Sequence, residues 1–124
     1  MNVEKFREVI ARRIYVEEIS LGEWADGIEE CCEKEIELLS EDLPSTIEFL
    51  QNECTADEYS WISEVIDDIV DKNPSRELVE CYKSLMVKFP EEYEKYHIAG
   101  IIEICENILK WEEENGKKKR NSCG

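Results

Sequence analysis

Residues 26–43, DGIEECCEKEIELLSEDL, carry eight carboxylates and a single lysine. Only one local conformation sorts such a stretch into a face that can be buried and a face that can stay wet. At helical spacing, Trp24, Ile28, Cys31, Cys32, Ile36 and Leu39 form one stripe over residues 23–40. Asp26, Glu29, Glu30, Glu33 and Glu37 fall on the other side, three or four residues apart. Like charges at that spacing face each other and mildly destabilise the helix that carries them. The ridge is therefore a standing cost to the fold.

The helical period continues along the chain. Residues 3–19 place Val3, Phe6, Val9, Ile10 and Ile14 inward, with Arg7, Arg12 and Arg13 around them and Gly22 as a break. Pro44 and Ser45 open a short helix over 44–53, with Ile47 and Leu50 inward. Thr55-x-x-Glu58 has the spacing of a capping box, in which the hydroxyl takes an orphan amide and the glutamate reaches back to the cap. It predicts a helix over 56–72 with Tyr59, Ile62, Val65, Ile66, Ile69 and Val70 inward and Glu64, Asp67, Asp68 and Asp71 outward. Asn73-Pro74 separates this from a helix over 75–89, Pro90 breaks again, and Ile98, Ile101, Ile102, Cys105, Ile108 and Leu109 mark a last helix over 98–112. No segment alternates at a strand period for long. The pattern predicts an all-α fold of five or six short antiparallel helices, arranged as a bundle or as a small HEAT-like stack. No internal repeat decides between the two.

At 124 residues and 42% apolar the chain suits one compact domain, read here as residues 1–114. Residues 115–124, NGKKKRNSCG, read as a flexible basic tail. Of the six cysteines, Cys81 and Cys105 sit inside apolar helical patterns, where a thiol acts as a small hydrophobe. The N-terminal stretch MNVEKFREVI has no apolar run of signal-peptide length. Reduced thiols and a cytoplasmic location are the expectation. No segment approaches the roughly 20 apolar residues of a membrane span. The net charge is −16, and residues 17–71 hold 19 acids against one base, Lys34, so nearly all the excess lies mid-chain.

The residues offer little chemistry. His97 is the only histidine, so any site needing two imidazoles is excluded. Glu94-x-x-His97 matches half of a di-iron helix pair, which needs the motif twice. There is no CxxC and no glycine-rich phosphate loop. Asp67, Asp68 and Asp71 lack the loop spacing and glycine of a calcium hand. The expectation is therefore no enzyme, no cofactor and no metal. A phosphate backbone would meet its own sign of charge, so nucleic acid is a poor partner.

A cationic protein is a better one. A surface of one sign steers an opposite partner and raises its association rate by roughly 10–1000-fold at low salt. Glu30, Glu33, Glu37, Glu64, Asp67, Asp68 and Asp71 are the candidate steering residues. Affinity needs buried aromatic anchors as well, and Trp61, at the edge of its helix's apolar face, is the first candidate, with Trp24 and Tyr59 behind it.

The stretch NECTADEYSWISEVIDDIVDKNPSRELVECYKSL, residues 52–85, followed by KFPEEYEKYHI, residues 88–98, resembles small acidic helical immunity proteins of bacterial polymorphic-toxin and contact-dependent growth-inhibition systems. The resemblance implies a cytoplasmic antidote that binds one toxin domain, often a nuclease, and neutralises it without doing chemistry. The other expectation is a generic helical adaptor whose partner is not a toxin. A small carboxylate enzyme or metal protein is a more distant third.

Overall fold

The structure, a computed structural model, describes the chain except Gly22, Trp24 and Gly124; the side chains of Ala25 and of residues 116–123 also lie outside the description. Among the described residues it is all-helical. In chain order the helices are α1 Val3–Ser20, α2 Ala25–Ser40, α3 Leu43–Asn52, α4 Ala56–Ile62, α5 Ile66–Lys72, α6 Arg76–Lys88, α7 Pro90–Lys95 and α8 Ile98–Cys123. Among the described residues the helix count is thus eight, not five or six.

Two local effects account for the difference. The single helix expected over 56–72 is interrupted at residues 63–65, dividing α4 from α5. Ser60 Oγ donates to the Asp57 carbonyl at 2.6 Å, and Ser63 Oγ to the Ser60 carbonyl at 2.5 Å. The amides of Glu64 and Val65 reach back only three residues, to Trp61 and Ile62. Serine hydroxyls that bond backbone carbonyls compete with the helical ladder and bend it. Apolar period alone cannot register this, because Ile62, Val65 and Ile66 are all buried on either side of the break. The second effect is Pro90, which opens α7 directly after Phe89 ends α6. α7 buries no residue fully and so carries no apolar stripe to be read.

The Thr55 capping box is present as expected: Thr55 Oγ1 accepts from the Glu58 amide at 3.2 Å, and the Glu58 carboxylate accepts from the Thr55 amide at 3.0 Å. Glu58 also takes a salt bridge from Arg7 Nε at 2.8 Å, tying α1 to the start of α4. Helix α8 runs past the expected end at residue 112. The flexible tail expected over 115–124 falls largely on side chains outside the described residues.

One hydrophobic core joins the elements. Phe6 and Phe49 meet edge to face at 5.6 Å, and Tyr59 stacks against Tyr82 at 4.9 Å. The Tyr82 hydroxyl donates to the Tyr59 carbonyl at 3.1 Å, so a buried polar group is satisfied without leaving the core. α1 packs on its neighbour α2, but most other contacts join helices three places apart: α2 with α5, α3 with α6, α4 with α7, α5 with α8. Pairing between chain neighbours is therefore not the rule the sequence suggested. Helices of six to ten residues hold their form through tertiary packing rather than on their own. Among the described residues no helix is long and apolar enough to cross a membrane.

α1 ends on Leu21, whose φ of 54° is left-handed and whose amide closes onto the Glu17 carbonyl. A side chain with a Cβ is strained there, and glycine is the usual occupant. Leu21 is 87% exposed, so no packing opposes its removal. Leu21→Gly is expected to raise the unfolding free energy by about 0.5–1 kcal/mol, measured by urea melts.

Candidate interaction surface

The eight candidate residues divide into those that meet bases and those that do not. On α2, Glu30 pairs with Lys34 one turn away at 3.4 Å. Glu37 lines a groove of about 410 Å³ between α1 and α2, opposite Lys5 and Arg12 of α1 and beside Lys34 of its own helix. Glu33 is exposed and makes no ion pair among the described residues. The α2 ridge is thus partly offset by Lys34 of its own helix and by Lys5 and Arg12 of α1.

Glu64 sits at the break between α4 and α5 and takes a salt bridge from Arg13 Nη1 at 2.5 Å. Arg13 is 5% exposed and is the hub of a buried polar cluster. It donates to Glu17 at 3.1 Å and to Cys32 Sγ at 3.1 Å, and its guanidinium lies 5.1 Å from the centroid of the Trp61 ring. Glu35, fully buried on α2, stands 3.7 Å from Arg13 Nη1, close enough for ion pairing but too far for a hydrogen bond. Among the described residues neither Glu35 oxygen has a hydrogen-bond partner, and the same is true of Arg13 Nε and Trp61 Nε1. Burial pushes the Glu35 carboxyl up to about 7, against the pull of Arg13 and with the help of Glu64 and Glu17. Trp61 is therefore half-buried under a cation rather than presented outward. Tyr59 is a fully buried core residue, and Trp24 lies outside the described residues.

The α5 edge differs. Asp68 and Asp71 are exposed and Asp67 half-buried, and none of the three meets a base within salt-bridge distance among the described residues. Partial burial, followed by the charges of Asp67 and Asp71, pushes the Asp68 carboxyl above its ordinary value. The share of the rise that comes from Asp67 and Asp71 reflects like charges standing close together.

Reaction chemistry finds little support in the side chains. Burial pushes the thiols of Cys54 and Cys105 up to about 12 and that of Cys32 to about 11, the reverse of what a nucleophilic cysteine needs. The five described cysteines are unpaired. Among the described residues no three His, Cys, Asp or Glu side chains are grouped to hold a metal ion. No family model, curated protein or solved structure matches the chain.

Two features escaped the sequence. Glu35 follows Cys31 by four residues and precedes Leu39 by four, both buried, so its inward position was readable from spacing. Charge argued the other way. The second is an exposed tryptophan: Trp111 is 60% exposed, and Ile104, seven residues earlier, is 49% exposed. Those two share one side of a helix with half-buried Ile108, beside the core stripe of Ile98, Ile102, Cys105 and Leu109.

Proposed function

We propose that this chain is a binding protein that neutralises a cationic toxin domain, an antidote with no chemistry of its own. The observation that carries the reading is the α5 edge, where Asp67, Asp68 and Asp71 stand together with no base paired to them among the described residues. Charges so placed lose self-energy when an opposite surface arrives, and they pull that surface in from a distance on the order of 10 Å at physiological salt. Glu33 on α2 is also exposed and has no paired base among the described residues. Glu30, Glu37 and Glu64 contribute less, since each already faces a base. The toxin as partner rests on the resemblance of residues 52–85 and 88–98 to immunity proteins. Carboxylates fixed on a helix can stand where phosphates lie in a basic nuclease cleft, which is a direct route to inhibition. The adaptor reading shares the surface and differs only in its partner.

The test is co-purification of the tagged protein with the product of the adjacent gene, followed by stopped-flow association. Asp68→Lys/Asp71→Lys is expected to slow association about tenfold or more at low salt and to flatten its salt dependence, while the dissociation rate changes less. An unchanged association rate would refute steering by α5. A basic partner without toxic activity would favour the adaptor.

A further inference from the structure

The apolar arc of α8 is wider than the core covers. Ile98, Ile102, Cys105 and Leu109 are buried against α5, α6 and α7. On the adjoining arc, Ile104, Ile108 and Trp111 recur at the i, i+4, i+7 spacing of one helical face. With Asn107 of α8 and Asp71 of α5 they line an open groove of about 280 Å³. A cleft of this size holds one large side chain rather than a cofactor. Asp71 forms its rim, and Asp67 and Asp68 stand on the same short helix, whose only base is Lys72. Asp67 lies close enough to α8 for its charge to act on Cys105. An apolar slot thus has an aspartate at its rim, on a helix that carries two more.

We infer that this groove seats an apolar side chain from an amphipathic, lysine- or arginine-flanked segment of the cationic protein partner, with Trp111 as the anchor of the interface. The inference rests on the reading of the chain as a binder of a cationic protein, and it adds the apolar contact that charge alone does not supply. An interface of this kind has an aromatic centre and a charged rim: the centre sets residence time, and the rim sets encounter rate. A second copy of the chain is the poorer occupant. A two-fold contact would bring each Asp67–Asp71 edge towards its twin, in a molecule of net charge −16.

The probe is a synthetic amphipathic helical peptide with leucines at i, i+3, i+4 and i+7 and lysines elsewhere. Its controls are a peptide with serine for each leucine and one with glutamate for each lysine. Binding is read by anisotropy of the labelled peptide, and location by the NMR shift of the Trp111 indole N–H in the full chain, assigned with Trp111→Phe. The lysine–leucine peptide is expected to bind and to move the Trp111 signal, and the serine peptide to bind at least about tenfold more weakly. Ile104→Ser/Trp111→Ser, or Trp111→Ser alone, removes exposed side chains and is expected to weaken binding about tenfold at both low and physiological salt. Asp67→Asn/Asp68→Asn/Asp71→Asn is expected to weaken binding mainly at low salt.

Unchanged affinity in the groove variants, with the aspartate variant weakened, overturns the groove and leaves the acidic-surface reading standing. Unchanged affinity in the aspartate variant, or binding of the glutamate peptide, overturns the cationic partner and the groove's occupant together. Sedimentation showing a dimer that Trp111→Ser dissociates overturns the inference in favour of a second copy.

Discussion

Arg13→Met is expected to lower the unfolding free energy by about 3–5 kcal/mol at pH 8, the range for removing one partner of a buried ion pair. Arg13 is 5% exposed and, among the described residues, is the cation paired with Glu35, which is fully buried with neither oxygen hydrogen-bonded there. Without the guanidinium, Glu35 must take up a proton or carry its charge in the core. Glu64 and Glu17 reach solvent and lose less. The loss should shrink towards pH 5.5, where protonation of Glu35 becomes easy. Urea melts at the two pH values measure it. Lys34→Met, which breaks only the exposed pair with Glu30, is the comparison and should change stability by about 0.5 kcal/mol or less. Equal effects of the two substitutions would show that the Arg13 cluster is no more than a surface network.

Glu35→Gln is expected to do the opposite at alkaline pH. The folded state holds the Glu35 carboxyl at about 7, above its ordinary 4.5, so the folded protein binds the proton more tightly than the unfolded chain does. That contribution to stability is fully present below about pH 4.5, declines as pH rises, and is gone above about pH 7. At about 1.4 kcal/mol per pH unit of displacement, the group contributes a decline of about 3 kcal/mol between pH 4.5 and pH 8. Glutamine cannot ionise, so Glu35→Gln should be more stable than the parent by about 2–3 kcal/mol at pH 8 and equal to it near pH 4.5. The difference between the two pH–stability curves isolates this residue from the other acids. A variant less stable than the parent at pH 8 would mean that Glu35 is ionised and that its pairing with Arg13 is net favourable. The two predictions share one logic: the glutamate charge is a burden in the core, and the arginine is what makes it tolerable.

The location of that cluster also explains why part of the candidate surface is already committed to bases. Arg13 draws Glu64 inward at the α4–α5 break, Lys34 meets Glu30, and Arg12 faces Glu37 across the α1–α2 groove. Of the seven candidate carboxylates, Glu33, Asp67, Asp68 and Asp71 are left with no base facing them among the described residues. The free part of the candidate surface is therefore narrower than its seven carboxylates, and Asp71 of its α5 part adjoins the exposed apolar arc of α8.

The helical character of the chain, the capping box at Thr55, and the core positions from Tyr59 to Val70 were all present in residue order, because each depends on partners within one or two turns. The opposed faces of α2 were legible for the same reason. The break after Ile62 was not, since two serine hydroxyls that bond backbone carbonyls leave no trace in the apolar period. Which helix meets which was also hidden: α5 lies on α8 and α3 on α6 through contacts that span tens of residues. The same distance in sequence separates Arg13 from Glu35 and Glu64, and Asp71 from Trp111. Local spacing determined that this chain would be helical and acidic on the outside. Only the packing of distant helices decided which charges were neutralised, that Glu35 was buried, and that Trp111 was left in water, because burial is a property of neighbours in space and not of neighbours in the chain.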